Sequence, residues 1–148
     1  MVQYGAVRIV SYNVHAAVGN DGVRSEQRVA EVLAQCAPDV VALQELDCAR
    51  PRSGGVDQAR CIAAWLEMES HFHPAYELRM EKFGDAILSR FPMRLVRAGA
   101  LPGKSYWPPG ERRGAIWVEI EAEGALWQVF NTHFGLGRSE RRIQAEAL

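Results

Sequence analysis

The residues of this chain best suited to chemistry are Asn13, His15, Glu45, Asp85, Arg113 and His133, and most of them close a run of strand-like text. Glu45 ends the apolar stretch Val40-Val41-Ala42-Leu43-Gln44, entered through Ala37-Pro38-Asp39. A carboxylate at the tip of a buried strand is held rigidly and points to open space, which suits a ligand for a hard cation such as Mg²⁺, with Mn²⁺ as a substitute. Read alone, Glu45 is more often simply the first solvated residue after a strand. Asn13 does not ionise and is a better positioning group than a primary ligand, or simply a polar strand end. His133 can hydrogen-bond a phosphoryl oxygen, act as an acid, or be structural. Arg113 carries a planar fork that fits phosphate, with a solvated loop charge as the competing account. Asp85 is either a partner for His133 or a turn carboxylate, and His15 lies where it would line a pocket.

These side chains need elements that bring them to one edge. Residues 7–14 alternate as a strand, with Ile9, Ser11 and Asn13 on one face. The Gly19-Asn20-Asp21-Gly22 loop follows, and Ser25 caps a helix with the apolar stripe Val29, Val32, Leu33 and Cys36. Strand, capped helix, turn and buried strand make a βαβ unit whose right-handed crossover brings Asn13 and Glu45 to the same sheet edge. The polar segment 47–55 predicts a mobile loop at that rim. A second helix starts at Asp57 and buries Ala59, Ile62, Ala63 and Leu66, and His71 and His73 flank the turn after it. Strands are then expected over 75–79, 85–89, 95–100, 115–122 and 126–132. A Pro- and Gly-rich loop with Trp107, Pro108 and Pro109 precedes Arg113 and reads as a substrate-facing lip or a packed loop. Ser139 is the expected cap of a last helix over 138–148, whose Arg138, Arg141 and Arg142 form a basic face.

Composition narrows the function classes. At 148 residues the chain fits one domain, and 48% hydrophobic with 24% charged residues is ordinary for a globular protein. Lys plus Arg (17) nearly balances Asp plus Glu (18), so any affinity for nucleic acid or phosphate must come from a local site. No apolar run is long enough to span a bilayer, and the first residues lack a basic start followed by an apolar region. Cys36, Cys48 and Cys61 lack paired zinc spacing and suggest free thiols in a reducing, cytoplasmic setting, with Cys36 and Cys61 as packing residues.

Taken in order, Arg8-Ile-Val-Ser-Tyr-Asn13-Val-His15, Pro38-Asp-Val-Val-Ala-Leu-Gln44-Glu45, Gly84-Asp-Ala-Ile-Leu-Ser89-Arg90, Arg113-Gly114-Ala115 and Asn131-Thr132-His133-Phe134 resemble the motifs of the endonuclease/exonuclease/phosphatase superfamily. The resemblance implies an α/β (α+β) fold, the N-terminal half of the four-layer α/β sandwich of DNase I-like proteins, which runs to about 250 residues. It implies that residues 1–148 are one such domain, incomplete at its C-terminal end, because no Gly-Asp-x-Asn or terminal Asp-His motif follows His133.

The implied activity is Mg²⁺-dependent phosphoesterase action on a phosphodiester or phosphomonoester, with nucleic acid as one substrate class and lipid or inositol phosphates as another. Glu45 would be the metal ligand, with Asn13 orienting it. His133 would be catalytic, and Arg113 phosphate-binding. Alternatives are an inactive half-domain that pairs with another chain, and a DNA-directed endonuclease. A half sandwich would leave Ile9, Leu43, Val129 and Phe130 uncovered and open to self-association.

Overall fold

Ile9–Asn13 (β1) and Val40–Cys48 (β2) run parallel, with Ile9 opposite Val40 and Asn13 opposite Gln44, and the helix Glu26–Gln35 (α1) crosses between them. The computed structural model describes residues 6–103 and 111–148. Gln58–Leu66 (α2) follows, then the antiparallel strands Glu69–Leu78 (β3) and Glu81–Ser89 (β4), which complete a sheet of order β1-β2-β4-β3. Met93–Ala100 (β5), Gly114–Ala122 (β6) and Ala125–Thr132 (β7) form a second, antiparallel sheet, and Arg138–Glu146 (α3) ends the chain.

Two cores follow from the period of two in β2. Val41 and Leu43 face the helices, where they meet Leu33, Ile62, Leu66 and Leu88. Val40 faces the other way, toward Ile87, Ile116, Val118, Ile120 and Val129 between the sheets. Helices, first sheet and second sheet are thus successive layers of an α/β sandwich. Leu43 and Val129 are buried by this stacking, contrary to the expectation of an uncovered sheet, whereas Ile9 and Phe130 are each 46% exposed.

Ser25 and Asp57 cap α1 and α2 by accepting the N–H of Arg28 and Arg60, as their positions before the apolar stripes predict. The α2 stripe is buried as read, but α1 is rotated: Ala30 joins Val29 and Leu33 inside, while Val32 is 49% exposed. Cys36 is exposed at the end of α1 and is no packing residue; all three cysteines are free.

His71 and His73 lie inside β3, not at a turn, because Pro74 sits on an edge strand where the ladder shifts register between Pro74 and Tyr76. The segment after Glu45 is no solvated loop at its start: β2 runs on to Cys48, Asp47 is fully buried, and the turn Pro51–Ser53 follows. Gly137, not Ser139, is the N-cap of α3, with no side-chain cap, and the helix ends at Glu146. No helix among the described residues is long and apolar enough to cross a membrane.

Candidate active site

Glu45 owes its position to an irregularity in β2. Leu43 pairs with Ala86 and Leu46 with Gly84, so three steps on β2 face two on β4. Leu43 and Leu46 can therefore both face the helical core, and the extra residue is absorbed by a bulge. Glu45 takes a left-handed φ of 62°, a costly conformation for a non-glycine residue, and turns its carboxylate out of the sheet. Gly84 opposite is required by space, since a Cβ there would lie 2.1 Å from the carbonyl oxygen of His73.

The Glu45 carboxylate stands between two imidazoles. Its Oε2 is 3.2 Å from His15 Nδ1 and its Oε1 is 3.5 Å from His133 Nδ1. Burial works to raise the Glu45 pKa, but hydrogen bonds from Asn13 and His15 and the neighbouring His133 outweigh it, so the carboxyl lies below the ordinary range and is ionised at neutral pH. Asn13 leaves β1 beside it and accepts the backbone N–H of His15 at 3.0 Å, which orders the left-handed turn His15-Ala16-Ala17.

His133, just past β7, comes from the second sheet. Burial and the charge of Arg113 lower its pKa, which keeps the ring neutral at neutral pH, and its buried Nδ1 has no hydrogen-bond partner among the described residues. Arg113 is buried at the entry to β6 and holds Glu111 through Nη2 at 2.7 Å, so it is not a solvated loop charge. Asp85 is buried on β4. Desolvation pushes its carboxyl up to about 7, opposed by the backbone N–H groups of Glu45 and His133 and by Arg113. Its contacts are thus with the backbones of Glu45 and His133. No hydrogen bond joins it to the His133 ring among the described residues.

Two residues not singled out in the sequence hold the sheets in register. Asn131 of β7 donates Nδ2 to the carbonyls of Leu43 and Ala86, each at 2.8 Å, and accepts Gln44 Nε2 at 2.8 Å. Both lie within motifs quoted above, but that they meet across the sheets is visible only in three dimensions.

Glu45 opens into a cleft of about 520 Å³ that is also lined by His15, Arg24, Asp47, Arg52, Phe83 and Glu111. The Trp107 lip, part of segment 104–110, lies outside the described residues. Among the described residues no cluster of three His, Cys, Asp or Glu side chains is arranged to hold a metal. That donor set does not suit zinc, but one ionised carboxylate facing a roomy cleft suits Mg²⁺, which is bound through one or two carboxylates and keeps several waters.

A family model described as "PGAP2IP, C-terminal nuclease-like domain" matches residues 6–148. Protein cwh43 of Schizosaccharomyces pombe is 29% identical over 139 residues, covering 93% of this chain and 14% of its own length. Among solved structures, an endonuclease/exonuclease/phosphatase protein of Beutenbergia cavernae superposes with a TM-score of 0.73 at 23% identity, over 95% of this chain and 42% of that one. A mannosyl-6-phosphatase of Bacteroides thetaiotaomicron gives a TM-score of 0.69 at 17% identity, over 96% and 57%. The fold is that of the endonuclease/exonuclease/phosphatase superfamily, and this chain spans less than two thirds of each of these relatives.

Proposed function

The chain belongs to the family of PGAP2IP C-terminal nuclease-like domains, and from that membership and the site geometry we propose that it forms the carboxylate-bearing part of a Mg²⁺-dependent phosphoesterase. The observation that carries this reading is Glu45, held in a strained bulge with its ionised carboxylate turned into a cleft and flanked by histidines from both sides. Strain of that kind persists where the surrounding structure holds it, and it gathers at functional sites.

In this reading Glu45 holds the ion, and Asn13 fixes the turn that carries His15 beside it. The ion would neutralise charge on the phosphoryl oxygens. Neutral His133 offers a ring nitrogen to a phosphoryl oxygen or to the leaving oxygen. Arg113 supplies a buried, permanent positive charge, which stabilises developing negative charge more strongly than a solvated arginine would. Asp85 positions the other two: its carboxyl faces the backbones of Glu45 and His133, tying the bulge in one sheet to the end of a strand in the other.

The test is hydrolysis of bis(p-nitrophenyl) phosphate by the full chain with Mg²⁺, with Mn²⁺ and with EDTA. Metal-dependent turnover is expected, reduced about 10³-fold or more in Glu45→Ala and about 10²-fold or more in His133→Ala. Turnover that survives EDTA, or that Glu45→Ala leaves intact, would sink the proposal.

A further inference from the structure

The cleft beside Glu45 contains more machinery than cleavage of a simple ester requires. Resting on the phosphoesterase reading, we propose that the substrate carries a second phosphoryl-type anion, bound in this cleft by Arg52 with Arg24 beside it.

Arg52 is fixed in place without being used up. Asp47, fully buried, accepts its Nε at 2.8 Å and its Nη2 at 2.7 Å. The guanidinium carbon also stands 5.5 Å from the centre of the Phe83 ring. Nη1 has no acceptor among the described residues, and the side chain is 53% exposed to the cleft. A fork whose plane is set by a buried carboxylate and an aromatic face, with one nitrogen left over, is a preorganised anion arm.

Asp47 does not need Arg52 for its own neutralisation. Arg50 also reaches Asp47, Nη1 to Oδ1 at 3.5 Å, while its Nε approaches Glu81 at 3.7 Å, and it shares the Phe83 ring at 5.8 Å. With Glu81 and Asp47 holding Arg50, the outward nitrogen of Arg52 is left to a ligand. Arg24 extends the positive wall: it donates Nη1 to the Arg52 carbonyl at 3.4 Å and is balanced by Glu26 at 3.4 Å. Arg24 and Arg52 both line this cleft, in a chain whose 17 basic and 18 acidic residues give it no overall positive charge. The cleft of about 520 Å³ that Glu45 and Arg52 share has room for a group bridging two phosphates.

Calorimetric titration of the full chain with propyl phosphate and with 1,3-propanediol bisphosphate separates the two sites. With Mg²⁺ present, the bisphosphate is expected to bind at least about tenfold tighter than propyl phosphate. That ratio should fall below about threefold in Arg52→Gln, where Arg50 still partners Asp47. It should fall part of the way in Arg24→Gln, a surface change that spares the fold. A third probe, with the second phosphate methylated to a singly charged diester, tells an internal diester of the nucleic-acid kind from a terminal monoester: retention of the advantage means the former, its loss the latter.

A wild-type ratio near one, no binding of either compound, or a ratio untouched by both substitutions would overturn the inference. The Mg²⁺ requirement of propyl phosphate binding reports on the Glu45 site separately. If that requirement is absent while the bisphosphate ratio holds, the hydrolase reading fails and the anion arm stands.

Discussion

Asp85 is the residue whose protonation the fold controls most directly. It is buried, with its carboxyl raised from an ordinary 3.8 to about 7. Between those values the folded chain keeps a proton that the unfolded chain has released, so stability falls as pH rises from about 4 to about 7 and levels off above. At about 1.4 kcal/mol per pH unit the effect is on the order of 4 kcal/mol. Thermal melts in EDTA across this range should show the gap between wild type and Asp85→Asn shifting toward the variant as pH rises. A gap independent of pH would show that Asp85 titrates normally. Asn13 at the end of β1 and His133 just past β7 were readable from the sequence because the strand text stops there, whereas Glu45, read as a strand tip, sits in a bulge inside β2. The partners Asp47 and Arg52 were not: nothing in 47–55 distinguishes a buried carboxylate from a solvated one until β2 is seen to run past Glu45.

Among elements, the contact between β7 and the first sheet is the one the site depends on. Asn131→Ala would take the Asn131 amide from the buried carbonyls of Leu43 and Ala86, while Gln44 keeps its bonds to Ser11 Oγ and the Ala42 carbonyl. Each deprived carbonyl costs about 1–3 kcal/mol, and urea unfolding should report a loss of about 2 kcal/mol or more. The helix ends give a sharper contrast. Ser25→Ala, which removes an observed cap, should cost about 1 kcal/mol, whereas Ser139→Ala should stay within about 0.5 kcal/mol because Gly137 begins α3. The βαβ unit and both caps were legible because hydrophobic period and capping chemistry are local. The full length of β3 was not, since Pro74 looks like a strand end until its edge position is known, and the rotation of α1 depends on what α2 and β2 present to it.

For the molecule as a whole, the proposed metal binding would be linked to folding. An ion held by Glu45 in the native chain alone stabilises it by about 2.7 kcal/mol at a hundredfold excess over its dissociation constant. Mg²⁺ should therefore raise the melting temperature of the wild type and leave Glu45→Gln unchanged. Equal shifts in both would place the ion elsewhere. The layered architecture could be read from the order of strand and helix text and from the family resemblance, but which strands belong to which sheet could not. Sheet membership decides that His133 and Arg113 approach Glu45 from across an interface and not along one surface. The candidate site residues thus straddle a seam, with Asn13 and Glu45 on one side, His133 and Arg113 on the other, and Asn131 as the stitch between them. A displacement of about 1 Å along that seam is enough to lose some 10²-fold in rate. In the phosphoesterase reading, turnover would be a vernier for the alignment of the two sheets, expected to fade on warming before the circular dichroism of each sheet is lost.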